Sequence, residues 1–299
     1  MNERALRELE VHLVGVGLGH ALTPPVYRFV ARSINIPWKI CSTECASIGE
    51  AVAVMRSAKL GGGVVTMPWK KDIMKHLDRL DDKAEKIQAC NVVYFGQNNE
   101  LVGSNTDWEG IEGAIKEKLK TSNKDISPKR ALLIGAGGVS RAALYALTQR
   151  FGIDYVYVAN RDDSEVEQLV ADCKPMGAFL HHVKSVSQAQ DLPTPEFIIG
   201  TVPDYEAVMP AEIEVKKIME SFLSREEKGF MLDMCYHPTR VTRNLKLAES
   251  NGWVTVQGTE VVGHQVEAIW RYWVTAERLK QLDRDGMWKC LREIADAKP

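Results

Sequence analysis

The chain has no apolar run long enough to cross a bilayer, no apolar stretch at its amino end and no low-complexity tract. A membrane span needs about 20 such residues. The first eight residues, Met1-Asn2-Glu3-Arg4-Ala5-Leu6-Arg7-Glu8, are charged where a secretory signal carries its apolar region. Neither sign of charge is in excess: 38 Lys and Arg face 40 Asp and Glu, for a formal net charge of −2. The basic footprint of a nucleic-acid-binding protein is therefore missing. An acidic substrate would have to be held by local groups, not by the field of the whole chain. Six cysteines (Cys41, Cys45, Cys90, Cys173, Cys235 and Cys290) form no CxxC pair and no metal-ligand spacing, which predicts reduced thiols and no metal. Internal repeats are lacking too. What remains is an ordinary globular composition, 45% hydrophobic and 26% charged, in 299 residues. Single cores stop growing at about 250–300 residues, so the length favours two domains. These features predict a soluble, cytoplasmic protein whose partners are small molecules, with no nucleic acid and no membrane. They leave its oligomeric state open.

Strand and helix signals alternate along the chain. Residues 11–15 read as a short apolar strand, and 24–33 as a helix with the Pro24-Pro25 pair in its first turn. A strand is expected over 38–42, a helix over 48–58 and a strand over 63–67. The last of these has the unbroken apolar character of a strand buried on both faces. A fourth strand follows at 91–95, a helix at 108–120 and an exposed loop or linker at 120–129. A fresh α/β unit opens at Arg130, with a strand at 131–134, a glycine turn at 135–138, a helix at 140–151 and a strand at 155–159. Further strands are expected at 197–200, 229–233 and 253–257, and one or two helices over 261–282. The alternation predicts the α/β class, with mostly parallel sheets covered by helices.

Ala131-Leu132-Leu133-Ile134-Gly135-Ala136-Gly137-Gly138-Val139-Ser140-Arg141 reads as strand, G-x-G-G turn and helix start. A dinucleotide pyrophosphate needs backbone N–H groups it can approach closely and the positive end of a helix. A glycine-rich turn without ligand is the plain alternative, but the strand–turn–helix context favours a nicotinamide dinucleotide. The end of the next strand, Asn160-Arg161, lies beside the adenosine ribose in such folds. Arg161 would suit the 2′-phosphate of NADP. Asp162, Asp163 and Glu165 crowd the same turn with negative charge and would repel it. The balance leans to NAD over NADP.

Three segments in the first third carry polar groups on apolar ground: Val65-Thr66-Met67-Pro68-Trp69-Lys70, Ala89-Cys90-Asn91-Val92 and Gly103-Ser104-Asn105-Thr106-Asp107-Trp108. Each falls at a strand end or a helix entry, where open α/β sheets place ligands. A lysine and an aspartate meeting there could handle the proton that accompanies hydride transfer. Taken singly, Lys70 is a solvated lysine at a helix start and Asp107 a plain N-cap. Trp69 and Trp108 flank the two, as a floor for substrate or as packing. The tryptophans at 253, 270, 273 and 288 read as core or interface. His181-His182, placed in a helix-to-strand connection, lacks a third ligand at a useful spacing, so no metal is assigned. His237 reads as a surface residue.

Together and in this order, the segments resemble the shikimate/quinate dehydrogenase family. Its patterns V-T-x-P-x-K, N-T-D-x-x-G, G-A-G-G-x-x-R, N-R, D-x-x-Y and G-x-x-x-x-x-x-Q match positions 65–70, 105–110, 135–141, 160–161, 233–236 and 258–265, and A-x-N-T matches 89–92 in all but its last residue. The Asn-Thr-Asp-Trp form is similar to fungal members. The resemblance implies an amino-terminal catalytic domain over 1–108, completed by helices from about 260 to 299, and a Rossmann domain over 109–259. It implies Lys70 and Asp107 as the catalytic pair, and Thr66, Asn91, Asp107 and Gln265 on ring hydroxyls. Tyr236 would help hold the acid group, with Thr23 in the carboxylate loop. Gly135, Ala136, Gly137, Gly138, Val139, Ser140, Asn160, Arg161, Thr201, Met234 and Gly258 would line the dinucleotide site, with Asp162 beside the ribose.

The chain also departs from the pattern. The family's H-S-x-S-P loop is His20-Ala21-Leu22-Thr23-Pro24 here, so position 21 offers no hydroxyl while Thr23 keeps one. Val64 replaces the asparagine often found before V-T, Val92 replaces a threonine, and Gly200 stands where many members have asparagine. The pair implied for the chemistry is intact, and the substrate is what these changes touch. The expected activity is oxidation of a ring hydroxyl of quinate, shikimate or a close cyclic hydroxy-acid. The rivals are a non-catalytic metabolite sensor of the same fold and a dehydrogenase for a different cyclic alcohol. Retention of Lys70 and Asp107, and the lack of a basic arm, argue against the sensor.

Overall fold

A computed structural model describes residues 8–122 and 129–297. The chain divides into two compact units, one of residues 1–110 with 262–299 and one of residues 111–261. No helix among the described residues is long and apolar enough to cross a membrane.

The first unit begins β1 (Glu10–Gly15), α1 (Thr23–Ser33), β2 (Lys39–Glu44), α2 (Ile48–Met55) and β3 (Leu60–Val65). It continues β4 (Arg79–Leu80), α3 (Asp82–Ile87), β5 (Val92–Phe95), β6 (Leu101–Ser104) and the opening of α4 (Asp107–Ser122). The sheet order is β2-β1-β3-β5-β6-β4. β2-β1-β3 and the β4–β6 pair are parallel, whereas β5 runs antiparallel to both β3 and β6. The sheet is mostly parallel as expected, with β5 as its antiparallel exception. The cause is local: residues 96–100 form a tight turn with Asn99 at φ 62° and Gly96 N–H donating to Glu100 O, and a turn that short joins antiparallel strands.

Three of the expected boundaries also move. α2 stops at Met55, three residues early, and β3 starts three residues early at Leu60. Lys120, Thr121 and Ser122, expected in a loop, close α4; the rest of that expected loop, 123–128, lies outside the described residues.

The second unit follows with β7 (Arg130–Ile134), α5 (Gly138–Tyr145), β8 (Tyr155–Ala159), α6 (Asp163–Cys173), β9 (Phe179–His182) and α7 (Val186–Gln190). Then come β10 (Phe197–Gly200), α8 (Pro210–Leu223), β11 (Phe230–Asp233), α9 (Arg243–Ser250), β12 (Val254–Gln257) and α10 (Gly258–Trp270). All six strands are parallel in the order β12-β11-β10-β7-β8-β9. This is the doubly wound order of a dinucleotide-binding fold, with its switch point beside β7. The expected helix at 140–151 starts earlier, at Gly138, and its last turn, Ala146–Arg150, is a π-helix. His181 and His182 lie in edge strand β9, not in a connection. That strand is partly exposed and lacks the apolar run that betrayed the others.

α10 returns the chain to the first unit, where α11 (Ala276–Leu279) and α12 (Arg284–Ala297) end it. The core there is aromatic. Trp270 meets Tyr27 edge-on at 5.6 Å and Trp273 at 5.5 Å, and it stacks on Trp38 at 6.2 Å. A side chain at Gly62 would strike the Trp273 ring at 2.3 Å, so the glycine run of β3 lets a tryptophan lie flat against the sheet. Trp253 is buried as well and Trp288 half-buried.

Candidate active site

In the first unit, three chain segments meet beyond the carboxyl end of β3. Val65 N–H donates to Asn91 O, Asn91 N–H to Ser104 O, and Cys90 N–H to Lys70 O at 2.7 Å. These backbone bonds hold the three polar segments side by side. Lys70 Nζ lies 2.5 Å from Asp107 Oδ2, with the two side chains 12% and 7% exposed. Asp107 Oδ1 accepts from Asn91 Nδ2 at 3.0 Å and from Gln265 Nε2 at 2.7 Å. Asp107 is the first residue of α4, yet its carboxylate does not cap that helix: Asn105 Oδ1 takes the Asp107 N–H instead, at 2.9 Å. Thr106 completes the knot. Its N–H donates to Asn91 Oδ1 at 2.8 Å, and its hydroxyl receives Asn91 Nδ2 at 3.1 Å and Gln265 Nε2 at 3.4 Å.

The structure thus joins Lys70, Asn91, Asp107 and Gln265, and adds Thr106, which the sequence reading placed in a motif without a role. Thr66 sits at the end of β3 with its methyl against Gly15. Thr23, half-buried in the first turn of α1, has no hydrogen bond to this set. Trp69 donates to Cys45 O and Trp108 to Asn105 O, each at 3.0 Å. Both rings are anchored by the protein itself.

In the second unit, the turn after β7 has two glycines with opposite demands. Gly135 has φ 106°, and a Cβ there would lie 2.5 Å from Thr201 Oγ1. Gly137 is the N-cap of α5 with φ −78°, and a Cβ there would meet nothing within 4 Å. Open space therefore lies over Gly137, at the N-terminus of α5, where a pyrophosphate could approach the backbone. Thr201 Oγ1 donates to Ile134 O at 2.8 Å, so at 2.7 Å Ser140 must be the donor to Thr201. Arg141, absent from the sequence-based site, is buried and donates to Ala136 O at 2.7 Å and Gly137 O at 3.1 Å. Asp172 holds it at 2.6 Å. These bonds tie the two carbonyls to the Arg141 side chain, and Gly135 N–H donates to Ala159 O at 2.9 Å. Val139 follows Gly138 in the first turn of α5. Met234 N–H donates to Gly200 O, and Met234 O would clash with any Cβ at Gly258.

At the tip of β8 the acids named by the sequence are already engaged. Asp162 caps α6, accepting from Ser164 N–H and Oγ at 2.8 and 2.6 Å. Those bonds hold its carboxyl below the usual range. Asp163 pairs with Lys184 at 2.6 Å. Glu165 takes the Asn160 amide at 2.7 Å. Arg161 instead meets Glu212 of α8 at 2.7 Å, an acid 51 positions away and outside any motif. Tyr236 and His237 follow β11, the first half-buried and the second exposed.

Asp233, at the end of β11, is fully buried. Burial pushes its carboxyl up to about 6, against the pull of Thr242 Oγ1 at 2.7 Å, the Cys235 N–H and Asn244. Since 3.8 is the ordinary value, between about pH 4 and 6 the native chain keeps a proton that the unfolded chain has lost. Stability contributed by this group falls as pH rises through that window, by roughly 3 kcal/mol in total. Asp233→Asn should flatten that part of the profile, read as the urea midpoint from pH 4 to 7. Parallel profiles for variant and parent would refute the assignment.

One further cluster, Glu10, His12 and Cys41, brings three ligand atoms within 4.8 Å of one another. His12 is already bonded to Thr43 Oγ1 at 2.9 Å and to Glu10 at 3.1 Å, and the Lys39 ammonium lies 3.9 Å from Glu10. A protein cation beside the carboxylate does the work a metal would, and we read the group as a strand-to-strand polar pairing.

A family model described as "Shikimate dehydrogenase substrate binding domain" matches residues 13–93, and one described as "Shikimate / quinate 5-dehydrogenase" matches 117–258. The quinate dehydrogenase of Emericella nidulans is 31% identical over 278 residues, covering 86% of this chain and 84% of its own. Among solved structures, the quinate dehydrogenase of Corynebacterium glutamicum in complex with NAD aligns with a TM-score of 0.75 at 21% identity, over 96% of this chain and 99% of that one. The shikimate 5-dehydrogenase of Thermus thermophilus in complex with NADP(H) and shikimate aligns with 0.73 at 23%, over 96% and 99%. These two structures share the fold.

Proposed function

Since the chain belongs to the shikimate/quinate dehydrogenase family, we propose that it oxidises a ring hydroxyl of quinate or shikimate with NAD, using Lys70 and Asp107 to handle the proton. The class of reaction is that of an oxidoreductase using a nicotinamide dinucleotide on a cyclic hydroxy-acid. The observation that carries the residue assignment is the 2.5 Å pair between Lys70 and Asp107, with Asn91 and Gln265 closing the far carboxylate oxygen. A buried ion pair is a poor way to stabilise a fold, because desolvation takes back most of the attraction. Such a pair, built from three segments and a distant helix, fits a chemical task better. A metabolite sensor would have no need of it.

Oxidation of a secondary alcohol removes a proton from oxygen and a hydride from carbon. The bound nicotinamide supplies the hydride acceptor. Lys70 as an amine would take the hydroxyl proton, or as an ammonium would pass its own proton to Asp107 while taking that of the hydroxyl, stabilising the developing alkoxide. Asp107 fixes the Lys70 ammonium, and Asn91 and Gln265 hold Asp107. Thr66 would contact a second ring hydroxyl. Gly135, Ala136, Gly137, Gly138, Val139 and Ser140 would receive the pyrophosphate, with Asn160 and Arg161 at the adenosine and Thr201, Met234 and Gly258 towards the nicotinamide. A panel of cyclic hydroxy-acids with NAD and with NADP, followed at 340 nm, tests the reading. Turnover of neither quinate nor shikimate with either cofactor would overturn it.

The ring carboxylate would lie at the His20–Pro24 loop, held by Thr23. Ala21 has extended backbone (φ −62°, ψ 133°) and its N–H donates to Leu18 O, so serine fits there without strain. Ala21→Ser should lower KM for quinate or shikimate about three- to tenfold, roughly 0.7–1.4 kcal/mol. Thr23→Ala should raise KM by at least as much. If neither variant moves KM, no carboxylate binds at this loop.

A further inference from the structure

Dinucleotide folds that take NAD place an acid at the end of the second strand of the fold, where it accepts from the ribose 2′-hydroxyl. Here that strand, β8, ends at Ala159 and is followed by Asn160-Arg161. The pattern by itself suits a 2′-phosphate, since arginine is the usual partner of that group. The three acids that follow are spent elsewhere: Asp162 on the α6 cap, Asp163 on Lys184 and Glu165 on Asn160. Glu212 is the acid that reaches the arginine. Its Oε1 lies 2.7 Å from Arg161 Nη1, while Oε2 accepts from the Val208 and Met209 N–H groups at 3.3 Å. The carboxylate is fixed to the start of its own helix with one oxygen presented to the guanidinium. Arg161 is 64% exposed and Glu212 23%, so the pair faces solvent where a ligand can arrive.

We propose that Glu212 is the residue that sets cofactor preference, by occupying Arg161 and so denying it to a 2′-phosphate. The proposal rests on the reading of the glycine turn as the dinucleotide site. A 2′-phosphate carries about −1.5 to −2 charges near neutral pH. To use Arg161 it must break the ion pair and then sit beside a displaced carboxylate that two backbone N–H groups hold in place. A ribose hydroxyl faces neither cost. Glu212 thus supplies from α8 the negative charge that the end of β8 lacks.

Glu212→Gln keeps an acceptor for the α8 cap while removing the charge. It is expected to raise the NADP-to-NAD ratio of kcat/KM at least tenfold, and to tighten binding of 2′,5′-ADP relative to 5′-ADP by a similar factor. In an Arg161→Gln background the same change should leave both ratios within twofold, because Glu212 acts through Arg161. An unchanged ratio in the Glu212→Gln single variant overturns the proposal. So does an equal shift with and without Arg161, which would mean a general charge effect. The preference of the parent is a separate matter: a parent that favours NADP refutes the NAD reading, while a further shift in Glu212→Gln still upholds the role of Glu212. Loss of binding of both nucleotides in Gly137→Val refutes neither, and retention of both in that variant removes the site on which the proposal stands.

Discussion

Lys70→Ala should lower kcat by at least about a hundredfold while nicotinamide dinucleotide affinity stays within a few-fold of the parent. The two readouts separate because Lys70 belongs to the first unit and the glycine turn to the second. Removing the amine takes away the proton acceptor and the positive charge beside a developing alkoxide, and it leaves Asp107 with only the two neutral amides of Asn91 and Gln265. Breaking a buried pair also costs about 3–5 kcal/mol of stability when one charge is stranded. The melting temperature must therefore be followed alongside turnover, and Lys70→Gln, which fills the space and leaves a donor for Asp107, should be equally inactive. A kcat near that of the parent in a folded Lys70→Gln would remove Lys70 from the chemistry.

The second large effect concerns the glycine turn. Gly137→Val should weaken NADH binding at least about a hundredfold and leave thermal stability nearly unchanged. The backbone at Gly137, φ −78° and ψ −167°, suits any residue, and a Cβ there meets no protein atom within 4 Å. The fold leaves room for a side chain here, so the expected loss of binding comes from the pyrophosphate that the turn is proposed to hold. Gly135 is the contrasting case: at φ 106° with Thr201 Oγ1 2.5 Å from a Cβ, Gly135→Ala should lose stability outright, by about 1–3 kcal/mol. Fluorescence titration with NADH and a thermal melt distinguish the two. Undiminished NADH binding by Gly137→Val would place the pyrophosphate elsewhere.

What could be read in the sequence follows a physical divide. The second sheet was legible because its inner strands, such as Ala131-Leu132-Leu133-Ile134 and Phe197-Ile198-Ile199-Gly200, are buried on both faces and have no polar residue to break the run. The strands that went unread lack an unbroken apolar run: β4 has two residues, β6, though buried, contains Gly103 and Ser104, and β9 ends in two histidines. In the site, Lys70, Asn91 and Asp107 stood out as polar groups on apolar ground, while Gln265 was implied only by the family resemblance. Thr106 and Arg141 were inside the family's motifs, but what they do depends on which carbonyl or amide they meet. Glu212 had no signal at all. Its meaning comes from a partner 51 positions earlier, and only the packing of α8 creates it.

The chain crosses from the first unit to the second inside α4 and returns inside α10. The second unit is therefore one continuous stretch of chain, whereas the first is interrupted by 151 residues. During synthesis, which proceeds from the amino end, the interrupted unit is the one that must wait. Its sheet emerges early, but Trp270 and Trp273, which cover that sheet, and Gln265, which closes on Asp107 from 158 positions away, leave the ribosome only after the whole of the other unit has been made. A nascent chain halted at residue 261 would hold a finished nucleotide fold and a buried acid still waiting for its last hydrogen-bond donor. The last hydrogen bond to Asp107 is thus made late, by one returning helix.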